Sequence, residues 1–255
     1  MQDIFIDDTG KGPPLVLVHG FLGSSDMWGP QVKYFQKYFR VLSPALPGFG
    51  KSSKIKSCDS IECMAESVLH SLRKKKIEKF NLLGHSMGGK VAINFAQKHE
   101  VLLAKLVIVD IGIKAYPMHH EHILAGIHSV DLPNISARRQ ADEKISVHIE
   151  SEGIKQFLLK NLYWKDKGTL AWRMNVIVLE REMNKILSAM EEVEVGVPTL
   201  FIRGAMSNYI LDDDIESIED LFIDSEIDTI DNAGHWVHAE ATNEFLESLL
   251  SFCLR

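Results

Sequence analysis

The stretch FNLLGHSMGGKVAINFA, Phe80–Ala96, decides how the rest of the chain is read. Phe80–Leu83 is an apolar run of strand length, and Met87–His99 carries a helical pattern. Between them Gly84-His85-Ser86-Met87-Gly88 puts a serine at a strand-to-helix turn, the context of a nucleophile elbow. A side chain at such a turn is held in strained backbone geometry. Small residues at Gly84 and Gly88 then avoid clashes while Oγ projects above the sheet. The helix N-terminus also favours negative charge developing beside it. Ser86 is the candidate nucleophile.

Outward from this turn, short apolar runs alternate with longer amphipathic stretches, the pattern of a parallel sheet covered by helices. Expected buried strands are Leu15–Val18, Val41–Ser43, Phe80–Leu83, Leu106–Val109, Thr199–Ile202 and Glu226–Ile230. Helical patterns span Ser60–Lys75, Met87–His99, Asp213–Phe222 and Ala239–Cys253. The fold class is therefore α/β, mostly parallel and doubly wound. Between about Tyr116 and Val193 the rhythm breaks into helix-like segments, Ser136–His148, Ile154–Leu162 and Leu170–Met190, with no strand-like run. The expected organisation is a core of residues 1–115 and 194–255, with 116–193 as a helical cap inserted across the top of the sheet.

Composition sets the limits. The 255 residues are 45% hydrophobic and 25% charged, as in ordinary folded domains, and 28 basic against 35 acidic residues give a formal net charge of −7. No overall attraction to nucleic acid or an anionic membrane follows. The run Arg73-Lys74-Lys75-Lys76 falls at a helix C-terminus, where positive charge is favoured. Cys58, Cys63 and Cys253 are odd in number and lack zinc spacing, so reduced thiols and no metal centre are expected. Acidic residues and a short apolar run near the N-terminus do not resemble a signal peptide, and a cytoplasmic protein is expected.

A serine hydroxyl needs a base that titrates near neutral pH, and eleven histidines compete for that role. The order nucleophile, acid, base favours His235 in DNAGHWVHAE, a loop between the last strand and last helix. His238 begins the following helix and reads as a packing or capping residue. The group His119, His120 and His122 has no matching carboxylate and reads as solvated. An oxyanion needs two main-chain donors, expected from Met87, after the nucleophile, and from Phe21 in HGFLGSSDMW. His19 reads as a hydrogen-bonder holding that loop.

Four motifs in order, HGFLGSSDMW, PALPGFGKS, GHSMGGKVA and NAGHWVHAE, make nearly the whole chain resemble the α/β-hydrolase superfamily. Within it, SARRQADEKI, IKQFLLKNLYW and LAWRMNVIVL look like YbfF-type short-chain esterases. The resemblance implies a Ser-His-Asp triad without cofactor or metal. In most of the superfamily the acid would stand where this chain has Ser207; in the YbfF-like branch it follows the preceding strand, at Asp110. Asp212, Asp213 and Asp214 are the alternative and suit a helix N-terminus.

Trp236, Trp164, Phe157 and Leu158 are candidates to line an apolar acyl pocket, among cap residues including Leu162, Tyr163, Trp172, Met174 and Val178 that pack by default. The implied partner is a small-molecule acyl ester or thioester, cleaved through an acyl-enzyme. The same residues would also serve carbon–carbon hydrolysis, lactone opening, a lyase step, cofactor-free peroxidation or a slow ligand-sensing homologue.

Overall fold

The computed structural model describes residues 3–55, 60–117 and 121–255, with the backbone alone for Val178, Leu179, Arg181 and Glu182. The described strands are β1 (Ile6–Thr9), β2 (Pro14–Val18), β3 (Arg40–Pro44), β4 (Phe80–His85), β5 (Leu103–Val109), β6 (Leu162–Asp166), β7 (Thr169–Trp172), β8 (Thr199–Gly204) and β9 (Ser225–Ile230). The helices are α1 (Gly29–Phe35), α2 (Ile61–Lys74), α3 (Met87–His99), α4 (Glu121–His128), α5 (Arg138–Ile145), α6 (Glu152–Lys160), α7 (Val176–Leu187), α8 (Ile215–Leu221), α9 (Val237–Glu240) and α10 (Thr242–Leu254).

Seven strands form one sheet in the order β1-β3-β2-β4-β5-β8-β9, and all pairings but the antiparallel β1–β3 edge are parallel. Successive side chains of a strand face opposite sides, and the apolar strands fill both. Leu15, Leu17, Leu83, Val107, Val109, Leu200 and Ile202 pack with Trp28, Phe35, Phe245 and Leu249 on the face covered by α1 and α10. Val16, Val18, Leu82, Leu106, Ile108 and Phe201 pack with Val68, Leu72, Val91 and Phe95 under α2 and α3. Burial on both faces explains why these strands read as continuous apolar runs.

The six expected strands and the four expected core helices are present. β1 was not expected: its sequence, IDDT, lacks an apolar run, and it pairs along one side only. α1 was also missed, as was the β6–β7 hairpin inside the segment expected to be wholly helical. Cys253 is a free thiol, pushed up to about 12 by burial, but Cys63 is disulfide-bonded, against the expectation of three reduced cysteines. Cys58 lies outside the described residues. Among the described residues, no helix is long and apolar enough to cross a membrane.

The segment carrying α4 to α7 and the hairpin leaves the sheet after β5 and returns before β8. Its two ends are stitched together at a neck, where Met190 N donates to Ile113 O and Tyr116 N to Leu187 O, both at 2.8 Å. It touches the core at the carboxyl end of the strands: Asn161 Nδ2 donates to Leu22 O at 2.7 Å and Asn175 N to Gly48 O at 3.0 Å.

Candidate active site

The strand order reverses between β2 and β4: β3 follows β2 on one side, while β4 is laid down on the other. Loops leaving the carboxyl ends of strands at such a point diverge and open a crevice. The loop after β2 and the turn after β4 meet there.

Ser86 sits at that turn with φ +54° and ψ −122°, a backbone region that costs energy for any residue with a side chain. Its N–H donates to Val109 O at 3.0 Å, tying the turn to the end of β5. The flanking glycines are required: a Cβ on Gly84 would lie 2.0 Å from Gly88 O, and one on Gly88 would lie 2.4 Å from Val18 O. Gly20 presses on the turn from the other side, where a Cβ would come 3.2 Å from Ser86 Cβ. Phe21 is thereby held beside the serine. Phe21 and Met87 both line a small cavity with Ser86, and Met87 is the first residue of α3, whose N–H has no acceptor within the helix.

His235 Nε2 lies 2.9 Å from Ser86 Oγ, and its Nδ1 lies 2.8 Å from Asp110 Oδ2. A carboxylate only accepts, so Nδ1 carries the proton and Nε2 is left to accept from the serine hydroxyl. Asp110 is fully buried, at φ +49° beyond β5. Its Oδ1 accepts from Gly204 N at 3.1 Å, and its Oδ2 also accepts from the hydroxyl of Ser207. Ser86, His235 and Asp110 are thus brought together as a connected series. Asp212, Asp213 and Asp214 form a short 3-10 turn ahead of α8 instead. There Asp212 pairs with Arg203, and Asp214 accepts from Leu211 N and Lys114.

Three further histidines surround this series, all buried. His19 Nε2 accepts from Leu46 N at 3.0 Å, so its Nδ1 donates to Gly20 O at 2.9 Å, the loop-holding role expected of it. His85 Nε2 donates to His235 O at 2.8 Å and holds the loop that carries His235. His238 packs between Trp28 and His85, with ring centroids at 4.8 and 4.6 Å. Burial lowers His19 to about 4 and His238 to about 3, and it drives His85 well below its ordinary value. All three are neutral at physiological pH.

Sequence reasoning missed Tyr209, whose ring stacks on His235 at 3.9 Å between centroids and 17° between planes. Burial pushes its phenol up to about 12. Nothing in its local sequence marks it; only the fold brings it to the imidazole. Ser207 did carry a signal, since it stands where most of the superfamily has the acid.

A cavity of about 220 Å³ opens above Ser86 and His235, lined by Phe21, Leu22, Ile123, Phe157, Leu158 and Trp236 among others. The sequence candidates Phe157, Leu158 and Trp236 are in its wall. Trp164 is not: α6 ends at Lys160, the chain turns into β6, and Trp164 stands 47% exposed on the hairpin. Leu162 and Met174 pack in the core, and the side chain of Val178 lies outside the described residues. His122 lines the cavity; His119 and His120 are outside the described residues, and no cluster of metal-binding side chains occurs among those described. A more polar outer cavity of about 540 Å³ adjoins the first, sharing Leu22, Met27, Phe157 and Trp236 with it.

These features define a class of protein, and comparison with known proteins agrees. Residues 13–133 match the family model described as alpha/beta hydrolase fold. An sn-1-specific diacylglycerol lipase, ABHD11 of Xenopus tropicalis, is 35% identical over 96% of this chain and 79% of its own length. Esterase YbfF of Escherichia coli is 30% identical over 92% of this chain and 91% of its own length. A marine microorganism esterase of known structure superposes with a TM-score of 0.93 at 32% identity, covering 98% of this chain and 99% of that one. The chain belongs to the α/β-hydrolase family, and it is a hydrolase.

Proposed function

We propose that the protein is a serine esterase that cleaves short- to medium-chain acyl esters or thioesters through an acyl-enzyme. The observation that carries this reading is the unbroken Ser86–His235–Asp110 hydrogen-bond series at the floor of an apolar cavity. Esterase and lipase relatives point the same way.

Ser86 Oγ attacks the acyl carbonyl as His235 Nε2 takes its proton, and buried Asp110 stabilises the imidazolium without taking the proton itself. The oxyanion forms next to the main-chain N–H groups of Phe21 and Met87, at the positive end of α3. The imidazolium returns its proton to the departing alkoxide or thiolate. Water, deprotonated by the same nitrogen, then releases the acid and restores Ser86. The segment 116–193 acts as a cap, supplying Ile123, Ile154, Phe157 and Leu158 to the acyl pocket. A dry wall there strengthens each charge interaction around the oxyanion.

The test is steady-state turnover of p-nitrophenyl esters from acetate to decanoate by the unmodified protein and by Ser86→Ala. Turnover that disappears in the variant, with a short- to medium-chain optimum, is expected. Equal rates in both proteins, or a single stoichiometric burst, would defeat the reading.

A further inference from the structure

Lys90 lies one turn into α3 from the nucleophile, and its N–H donates to Ser86 O at 3.2 Å. Its side chain does not reach solvent, being only 1% exposed. It runs under the neck by which the cap joins the core, where Nζ donates to Lys114 O at 3.3 Å and to Ser188 O. The ring of Tyr116 covers it, with Nζ 5.0 Å from the centroid. Lys114 and Tyr116 belong to the chain leaving the core, and Ser188 to the chain returning. One amine therefore holds both strands of the neck.

This is a costly arrangement. None of the described carboxylates forms an ion pair with Lys90, and burial alone lowers its ammonium to about 8. What the amine supplies in return is hydrogen-bond donors for Lys114 O and Ser188 O. Ser188 follows the last turn of α7, where the helix leaves its carbonyls unpaired and the dipole is negative. In the same turn of α7, Met183, Ile186 and Leu187 close a cavity of about 20 Å³ with Phe21, Ser86, Met87, Lys90 and Tyr209. The seat of α7 is therefore part of the wall beside the nucleophile.

We propose that Lys90 is a positioning residue for the hydrolysis: by pinning both strands of the neck to the nucleophile's own helix, it seats α7 and the cap over Ser86. The inference rests on the serine-esterase reading for its kinetic consequence only; the seating of the cap is independent of it.

Among the described residues, the phenols packed against Lys90 do not titrate near neutrality. Tyr116 is raised above the ordinary tyrosine range by burial, and Tyr209 is raised to about 12. Lys114 directs its own Nζ to Asp214, and α7 presents Met183, Ile186 and Leu187. Lifting the neck returns Lys90 to water and to lysine's ordinary 10.5, so each opening takes up a proton between pH 8 and 10.5. Raising the pH from 7 to 9 then makes opening rarer.

The experiment measures amide hydrogen exchange of the neck and α7 in the wild-type protein, Lys90→Met and Lys90→Arg, alongside KM and kcat for p-nitrophenyl butyrate. In Lys90→Met, neck and α7 amides should exchange about tenfold faster while those of β4 and β5 keep their protection. KM should rise severalfold with kcat within about twofold, and Lys90→Arg should recover part of both. Unchanged neck exchange in Lys90→Met, or protection lost in β4 and β5 to the same degree, overturns the proposal. If Lys90→Met does not fold, Lys90→Gln, which keeps a shorter donor, decides: faster neck exchange with β4 and β5 still protected is expected, and unchanged neck exchange overturns the proposal. A failure of ester turnover leaves the exchange result standing, so the two readings fail separately.

Discussion

The hydroxyl of Ser207 donates to Oδ2 of Asp110, the same carboxylate oxygen that accepts from His235 Nδ1. The position after β8 thus contacts the Asp110 carboxylate without carrying a charge of its own. Asp110→Asn should lower kcat by roughly 10³- to 10⁴-fold, because the amide no longer enforces the tautomer in which Nε2 accepts. Ser207→Ala should cost only about three- to tenfold, since one of three hydrogen bonds to a charged acceptor is lost. Asp213→Asn should leave kcat unchanged. Steady-state kinetics of the three variants decide the acid, and a severe loss in Asp213→Asn with a mild one in Asp110→Asn would reverse the assignment.

Phe157 stands in the wall shared by the apolar cavity over Ser86 and the larger, less apolar one beside it, with its ring 6.4 Å from that of Trp236. Phe157→Ala should join the two spaces. The ratio of kcat/KM for p-nitrophenyl octanoate to that for the butyrate is expected to rise severalfold. Trp164→Ala, on the exposed hairpin, should leave the ratio where it was. A ratio that moves with Trp164 and not with Phe157 would misplace the acyl pocket.

Folding takes His19, His85 and His238 out of water as neutral imidazoles, with burial the largest cause for each. In the unfolded chain they bind protons near pH 6.5, whereas in the folded one they resist until far lower pH. Stability is therefore fully present above about pH 7 and is lost as pH falls through 6.5. Each histidine contributes about 1.4 kcal/mol per pH unit, about 4 kcal/mol per unit for the three together. Against a typical total of about 5–15 kcal/mol, this is a large loss by pH 5. Urea denaturation at pH 7.5, 6.0 and 5.0 should show a steep drop in midpoint; a flat midpoint would mean that the buried imidazoles are protonated in the native state.

The strands that read most plainly in the sequence are those buried on both sides, whereas half-exposed β9 was found on a weaker pattern. β2, β4, β5 and β8 have no polar face, so their apolar runs announce them whatever surrounds them. β1 has a half-exposed acidic sequence and exists because β3 offers it a ladder. The β6–β7 hairpin was hidden because LYWKD continues the apolar spacing of α6, and only the end of the helix at Lys160 turns that spacing into a strand. In the site, Ser86 and His235 lie in motifs whose local chemistry is self-explanatory. Asp110 needed the family resemblance, because an aspartate at a strand end is common. Tyr209 and Lys90 were invisible: their significance comes from what other parts of the chain place against them.

The stitched neck has a consequence for how such proteins diversify. Because Ile113 and Met190 are hydrogen-bonded neighbours, everything between them begins and ends at one spot on the core. Residues can be added to or removed from that interval at the modest entropic cost of a longer or shorter loop, without shifting the register of β5 against β8. Changes within that interval therefore leave in place the strands that carry Ser86 and Asp110.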